Sequence, residues 1–228
     1  MEAVTADAPA CSGPAAFRTR IVARRPLAES TFELALAKPT RFTFAPGQRV
    51  RLCHAEAERD YSISSAPADA LIRLCIRRVD NGRLSARLAE ITVGAALAFT
   101  GPHGYFIFQA SARQAVFVAT GTGIAPFCAM AAAGVSGFIL LHGVAAQEEL
   151  FYRDLLQAKA AAYVACLSGG RTAATGHFNG RVTDYLRERL PAGAYDFYLC
   201  GRQEMVRDAT LVIDERFCGS LVFSEIFY

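Results

Sequence analysis

The chain has 228 residues and a formal net charge of +3; 53% of its residues are hydrophobic and 20% are charged. The length fits one large domain or two domains of about 100 residues, and the composition excludes a disordered chain. The small charge, without any block rich in Lys and Arg, argues against a nucleic acid partner.

Short runs typical of β-strands fill the first half of the chain. They follow an aperiodic tail, residues 1–15, and are separated by turn signals such as Pro46-Gly47 and Gly101-Pro102. The predicted strands are residues 17–22, 31–36, 49–53, 59–64, 72–79 and 96–100. Many short strands at this spacing indicate a small antiparallel β-barrel domain, to which we assign residues 16–108.

The pattern changes after Gln109 to apolar strands that alternate with helical segments. The predicted strands are residues 115–119, 137–141, 162–166 and 196–200, and the predicted helices are 148–160, 181–189 and 204–214. Residues 114–147 have no charged side chain, but interrupting glycines and Pro126 favour a buried strand, turn and helix over a membrane span. Residues 109–228 are therefore expected to form an α/β domain with a parallel sheet.

The segment Arg59-Asp60-Tyr61-Ser62 combines side chains that can bind a dinucleotide with a fused ring system. A guanidinium can bind a pyrophosphate, a tyrosine ring can lie flat on a tricyclic ring, and a serine hydroxyl can hydrogen-bond a ring nitrogen. Alternation along a strand places Arg59 and Tyr61 on one face and Ser62 on the other. A plain polar edge strand is the alternative interpretation.

Two glycine-containing turns are candidates for phosphate binding. Backbone amides around Gly82, Leu84 and Ser85, where a short helix begins, can bind a pyrophosphate, although a surface turn capped by Ser85 would look the same. The second turn, Thr120-Gly121-Thr122-Gly123, directly follows an apolar strand and precedes Pro126. Its glycines let a pyrophosphate approach the backbone, and the helix N-terminus adds favourable partial charge.

The order of these motifs closely resembles the ferredoxin-NADP reductase superfamily. The resemblance runs from about residue 17 and also includes Phe44-Ala45-Pro46-Gly47-Gln48 and Gly101-Pro102-His103-Gly104. It implies an FAD cofactor held by the barrel domain. The residues implied to bind FAD are Arg59, Tyr61, Ser62, Ile76, Arg77, Gly82, Leu84 and Ser85.

The same resemblance implies a nicotinamide cofactor on the α/β domain. Pro126 in place of the third glycine of the dinucleotide fingerprint is a feature of this family. Cys200 would lie beside the nicotinamide C4, and Gly201 would let the ring approach; Arg202 replaces the family's usual proline. The residues implied to bind the nucleotide are Thr120, Gly121, Gly123, Pro126, Ser168, Arg171, Arg181, Cys200 and Gly201.

Two further features concern the choice between NADPH and NADH and the C-terminal residues. Ser168, Arg171 and Arg181 would hold a ribose 2′-phosphate, and no Asp or Glu occurs between residues 166 and 182, so NADPH is favoured over NADH. Two surface arginines on a mobile loop are the alternative interpretation. Glu225 stands two residues before an aromatic, as in the family, and either Phe227 or Tyr228 would stack on the flavin. Ser62, Cys200 and Glu225 would hold the reacting geometry and support proton movement.

The implied function is hydride transfer between NADPH and FAD, followed by single-electron transfer to a separate ferredoxin, flavodoxin or oxygenase component. A free-flavin reductase and a non-catalytic nucleotide-binding module are the alternatives. The seven cysteines and four histidines lack metal-ligand spacing, so no metal site is predicted. Residues 1–7 do not look like a signal peptide, which favours a cytoplasmic location.

Overall fold

The computed structural model describes residues 16–54, 57–170 and 176–227. The chain divides between Tyr105 and Phe106 into two compact units, and each unit contains one six-stranded sheet. Residues 1–15, which the sequence analysis assigns to a tail, lie outside the described residues, as do the predicted site residues Arg171 and Tyr228.

The first unit is an antiparallel sheet rolled around an apolar core. Its elements are β1 (Ala16–Ala28), β2 (Thr31–Ala37), β3 (Arg49–His54), β4 (Ala57–Ser62), β5 (Leu71–Arg77), α1 (Ser85–Glu90) and β6 (Ala96–His103). The strand order is β4-β3-β6-β1-β2-β5, and an antiparallel bridge between Ile63 and Leu74 links the two outer strands. The antiparallel β-barrel expected from the sequence is confirmed.

Two-residue periodicity explains why these segments are strands. On β5, Ile72, Leu74 and Ile76 are fully buried in the core, whereas Arg73 and Arg77 point outward. Gln48 then joins two turns of the unit, because its side-chain amide accepts from Ala45 N at 2.8 Å and donates to Gly104 O at 3.2 Å. The segments around Pro46-Gly47 and Gly101-Pro102 are thereby held against each other.

The second unit is a parallel sheet with helices. Its elements are β7 (Gln114–Thr120), α2 (Ala125–Ala132), β8 (Ile139–Val144), α3 (Arg153–Lys159), β9 (Ala162–Leu167), β10 (Phe178–Asn179), α4 (Val182–Glu188), β11 (Tyr195–Arg202), α5 (Gln203–Arg216) and β12 (Leu221–Phe227). The strand order is β10-β9-β8-β7-β11-β12. The predicted parallel α/β domain is confirmed, and the rings of Phe106 and Phe108 pack on its Tyr198.

Three elements of the second unit differ from the sequence prediction: α3 begins later, and β10 and β12 are not among the predicted strands. The helix predicted for residues 148–160 begins only at Arg153, because Tyr152 adopts a left-handed conformation with φ of 58° that a helix cannot include. The two-residue strand β10 was not predicted, since its pairing with Cys166 and Leu167 is too short to leave a sequence pattern.

Candidate functional site

Arg59 and Tyr61 lie side by side on β4. Their partners across the ladder, Leu52 and Val50, are fully buried, and Tyr61 packs against the barrel core. Burial raises the pKa of Tyr61 to about 12, an effect that the nearby Arg59 charge partly opposes. Arg59 itself is exposed, and Ser62 is buried on the opposite face. An exposed cation thus neighbours a partly buried, uncharged aromatic ring.

The predicted phosphate turn uses part of its hydrogen-bonding capacity internally. Val79 N donates to Ser85 Oγ at 3.1 Å, and Gly82 N donates to Val79 O at 2.8 Å. The Gly82 amide and the Ser85 hydroxyl are therefore engaged within the turn. The first-turn amides of α1 remain for a phosphate, because they have no intrahelical partner and Leu84 provides no side-chain cap.

The side chains of β5 and α1 divide into two groups. Ile76 and Leu84 are buried in the barrel core, so only their backbone can face a ligand, whereas the Arg77 side chain is exposed. Arg59 and the α1 amides are hydrogen-bond donors and Tyr61 offers a ring surface, which are the kinds of group that a flavin dinucleotide requires.

The strand order of the second unit reverses at β7. The chain runs outward from β7 through β8 and β9 to β10, then returns to β11 and β12 on the other side of β7. In open α/β sheets ligands bind at the carboxyl ends of the strands at such a reversal. The loop of Thr120 and Gly121 after β7 and the pair Cys200-Gly201 on β11 meet there, and Cys200 is in register with Ala119.

The turn at residues 120–123 and the Cys200-Gly201 pair are in close backbone contact at two glycines. A Cβ on Gly123 would overlap the carbonyl group of Cys200 and lie 2.7 Å from Gly201 Cα. Gly201 has a φ of 143°, and a Cβ there would overlap Thr120 Oγ1. Arg202 N also donates to Thr120 Oγ1 at 3.4 Å. Both positions require glycine, and the contact fixes the glycine turn at residues 120–123 relative to Cys200. Pro126, in the first turn of α2, is buried behind this loop.

Cys200 and Glu225 are buried neighbours at the same edge of the sheet. The register of β11 and β12 pairs the two residues; Cys200 is fully buried, and Glu225 is 8% exposed. Burial, with a smaller contribution from the Glu225 charge, raises the pKa of the Cys200 thiol well above its usual value. Cys200 is therefore a protonated thiol at neutral pH. Phe227 lies two residues beyond Glu225, is partly buried and pairs with Arg202.

Ser168 and Arg181 lie at the far side of the sheet. Ser168 follows β9 and is held by two hydrogen bonds to Val144 O, from its amide at 3.0 Å and its hydroxyl at 3.3 Å. Arg181 precedes α4 and is exposed, and its amide donates to the Asp184 carboxylate at 2.9 Å. Gly180 N donates to Leu167 O at 2.9 Å, which brings the two positions to one edge of the sheet.

His142 and Tyr163 form a buried pair that the sequence analysis did not single out. His142 is fully buried, its Nδ1 lies 2.8 Å from the Tyr163 hydroxyl, and burial lowers its pKa to about 3. The imidazole is thus neutral at physiological pH and does not act as an acid there. A lone histidine within an apolar run gives no sequence signal for such a pair.

A cavity of about 440 Å³ lies at the β9 edge of the second unit. It is lined by Tyr163, Val164, Gly176, His177, Phe178, Tyr185 and Arg189. Within the part of the chain that the structure describes, no predicted site residue lines it. In the same ranges, no group of three His, Cys, Asp or Glu side chains could hold a metal ion, and no helix is long and apolar enough to span a membrane.

Comparisons with known proteins assign both units. Residues 22–108 match the oxidoreductase FAD-binding domain, and residues 117–210 match the oxidoreductase NAD-binding domain. Ferredoxin-NADP reductase B of Sorangium cellulosum is 34% identical over 83% of this chain and 88% of that protein. The toluate 1,2-dioxygenase electron transfer component of Pseudomonas putida is 33% identical over 84% of this chain, which spans only 61% of that relative.

The fold is also found in a solved structure. A ferredoxin NADP+ reductase from Neisseria gonorrhoeae, solved with bound FAD and NADP, superposes with a TM-score of 0.82 at 20% identity, covering 95% of this chain and 100% of that chain. The two domains define a flavin-dependent electron-transfer oxidoreductase that uses FAD and a nicotinamide dinucleotide. The chain belongs to the ferredoxin-NADP reductase superfamily.

Substituting Gly123 with alanine tests the interlock of the two loops. We expect Gly123→Ala to lower the free energy of unfolding by about 1–3 kcal/mol, because the Cys200 backbone must move to admit the methyl group. Urea denaturation measures this change. The control is Gly193→Ala, in an exposed turn where an added Cβ meets only the Tyr195 ring, at 3.3 Å. Equal losses in the two variants would contradict the interlock.

The raised pKa of Cys200 predicts a chemically silent thiol. A thiolate is the reactive form, so raising the pKa removes reactivity at neutral pH, and alkylation would require a more alkaline solution. We expect iodoacetamide to modify the exposed Cys218 in the folded protein while Cys200 reacts only after unfolding. Peptide mass spectrometry distinguishes the two sites. Comparable labelling of Cys200 and Cys218 in the folded protein would show that the thiol is accessible and ionised.

Proposed function

We propose that the protein oxidises NADPH, passes the hydride to bound FAD and delivers electrons singly to a separate protein acceptor. The observation that carries this proposal is the edge of the second sheet, where Cys200 and Glu225 lie buried beside each other and next to the phosphate-binding turn. When bound, FAD supplies the chemistry that converts a two-electron donor into a source of single electrons. The protein supplies binding and orientation.

Each part of the site has a distinct role in this proposal. Arg59 and the α1 amides bind the FAD pyrophosphate, and Tyr61 provides a flat surface for the flavin ring. Ser62 holds a ring nitrogen by a hydrogen bond. Cys200 is a small neutral contact for the nicotinamide, since its protonated thiol is not a nucleophile. Glu225 holds or moves a proton at this edge.

The aromatic residue Phe227 is proposed to cover the flavin until the nicotinamide replaces it. Its position on β12 supports this role, because β12 pairs in register with β11 up to Arg202, so that Phe227 follows Glu225 on the same face of the sheet. Tyr228, the alternative aromatic, lies outside the described residues.

The proposed preference for NADPH over NADH rests on residues that follow β9 and β10, on the side of the sheet away from β11. Ser168 and Arg181 provide a hydroxyl and a cation, and residues 166–182 include no carboxylate to accept from a ribose 2′-hydroxyl. A 2′-phosphate would gain a charge-assisted hydrogen bond at this edge. Arg171 belongs to the same proposal, although it lies outside the described residues.

Removing the Arg181 guanidinium tests both the activity and its cofactor preference. We expect Arg181→Ala to raise the KM for NADPH by about tenfold while the KM for NADH stays within twofold, as loss of a 2′-phosphate contact requires. The assay is reduction of ferricyanide by the FAD-loaded protein. Arg187→Ala, on the helix that follows Arg181 and paired with Asp184 at 3.7 Å, is the matched control. Equal increases for both nucleotides would remove the 2′-phosphate assignment.

The proposed acceptor is a small acidic redox protein such as a ferredoxin or flavodoxin. Residues 16–105 contain 14 Lys and Arg against 8 Asp and Glu, whereas residues 106–228 contain 10 against 11. The barrel unit is therefore the basic half of the chain, and Arg18, Arg20 and Arg24 are exposed along β1. Such a surface steers an acidic partner by long-range attraction. A cytoplasmic location belongs to the same proposal, since NADPH is the electron source.

Salt dependence of the electron-transfer rate tests the acidic acceptor. Raising the salt concentration from about 0.01 M to 0.15 M should lower kcat/KM for an acidic ferredoxin by about tenfold or more, because screening shortens the reach of the basic surface. A neutral quinone should show little change. The double substitution Arg18→Glu and Arg20→Glu should reproduce the loss at low salt. A salt-independent rate would instead favour an oxygenase component docked by apolar contacts, or free flavin as the acceptor.

A further inference from the structure

Arg202 ends β11 directly after Cys200-Gly201, at the reversal of strand order. Its amide donates to Thr120 Oγ1 at 3.4 Å, which ties its backbone to the loop after β7. Its neighbour across the ladder is Phe227, and Gly201, with a φ of 143°, separates it from Cys200. Arg202 therefore has a fixed place at the ligand-binding edge of the sheet.

The Arg202 guanidinium is exposed and has no partner among the described residues. Three other arginines of the second unit pair with carboxylates: Arg113 with Asp196, Arg187 with Asp184 and Arg207 with Asp208. At this edge the nearest carboxylate along β12 is Glu225, which is buried beside Cys200. A solvent-exposed cation thus stands at the end of β11 with its hydrogen-bond donors uncommitted among the described residues.

Strand spacing shows which part of a dinucleotide Arg202 can reach. Neighbouring strands lie about 4.8 Å apart, so the end of β11 is about 5 Å from the end of β7 and about 14 Å from the end of β9. The side chain of Arg202 spans the first distance but not the second. It can reach an anion held over the loop of Gly121 and Gly123, but not a 2′-phosphate beside Ser168.

We propose that Arg202 binds the pyrophosphate of the nicotinamide cofactor, on the nicotinamide side, and so contributes equally to NADH and NADPH binding. This inference rests on the proposed use of a nicotinamide dinucleotide by the second unit. A guanidinium suits a pyrophosphate because its fork of N–H groups matches two phosphate oxygens. The Gly123–Cys200 and Gly201–Thr120 contacts hold the backbone from which this side chain extends close to the glycine turn.

Arg202 would thus strengthen the binding of NADH and NADPH alike, without changing the preference for one over the other. Arg181 distinguishes NADPH from NADH through a phosphate that only one of them carries, whereas Arg202 acts on the phosphates that both share. Removing Arg202 should leave the ratio of the two dissociation constants unchanged.

Equilibrium binding to the FAD-loaded protein tests this assignment without turnover. We expect Arg202→Ala to weaken both NAD+ and NADP+ by about tenfold, Arg202→Lys to recover part of the loss, and 2′,5′-ADP, which lacks the nicotinamide-side phosphate, to bind as in the wild type. Isothermal titration calorimetry supplies the three dissociation constants. Arg207→Ala on α5 is the matched control, since Arg207 already pairs with Asp208 at 2.8 Å.

Other results would contradict either the role of Arg202 or the proposed function. Loss of NADP+ affinity alone, equal weakening of 2′,5′-ADP, or affinities within twofold of the wild type would each overturn the role of Arg202. If Arg202→Ala fails to fold, Arg202→Gln keeps a polar, uncharged side chain at this position and gives the same comparison. A wild-type protein that binds neither NAD+ nor NADP+ would overturn the proposed function itself. A wild-type protein that binds both, together with an Arg202→Ala variant that binds them equally well, would overturn only the role of Arg202.

Discussion

Close backbone contact between the two segments at the reversal of strand order is the constraint on which the site depends. Gly123 lies against the carbonyl group of Cys200, and Gly201 lies against the Thr120 side chain, so neither position admits a Cβ. This contact sets where the phosphate-binding turn stands relative to β11. The in-register pairing of β12 with β11 places Glu225 beside Cys200.

In the second unit, two buried side chains are uncharged and two exposed side chains are cationic. Cys200 is fully buried and stays a neutral thiol, and the buried His142 stays a neutral imidazole, because burial penalises the charged form of each. The exposed cations Arg181 and Arg202 stand at opposite sides of the same edge. Cys200 thus presents a neutral contact at the edge proposed for the nicotinamide, and the two exposed cations are the groups proposed to bind phosphates.

Much of this arrangement could be predicted from the sequence because local patterns encode it. Alternating burial marks β5, continuous apolar runs mark β7 and β11, and the Gly121 to Gly123 turn stands between strand and helix as nucleotide binding requires. Register and backbone strain could not be read in this way. The pairing of Cys200 with Glu225 depends on a strand 20 residues further along, and the left-handed Tyr152 that shortens α3 has no sequence signature. Nor does composition reveal that the Gly82 amide is already engaged within its own turn.

The central claim is that this chain accepts hydride from NADPH onto its own FAD, and an anaerobic titration of the FAD-loaded protein tests it most directly. NADPH would be added in small steps while the flavin absorbance is recorded, with NADH titrated in parallel. The account predicts complete loss of the absorbance at about one equivalent of NADPH, and reduction by NADH only at higher concentration. Flavin that keeps its absorbance in excess NADPH, although the nucleotide binds, would contradict it.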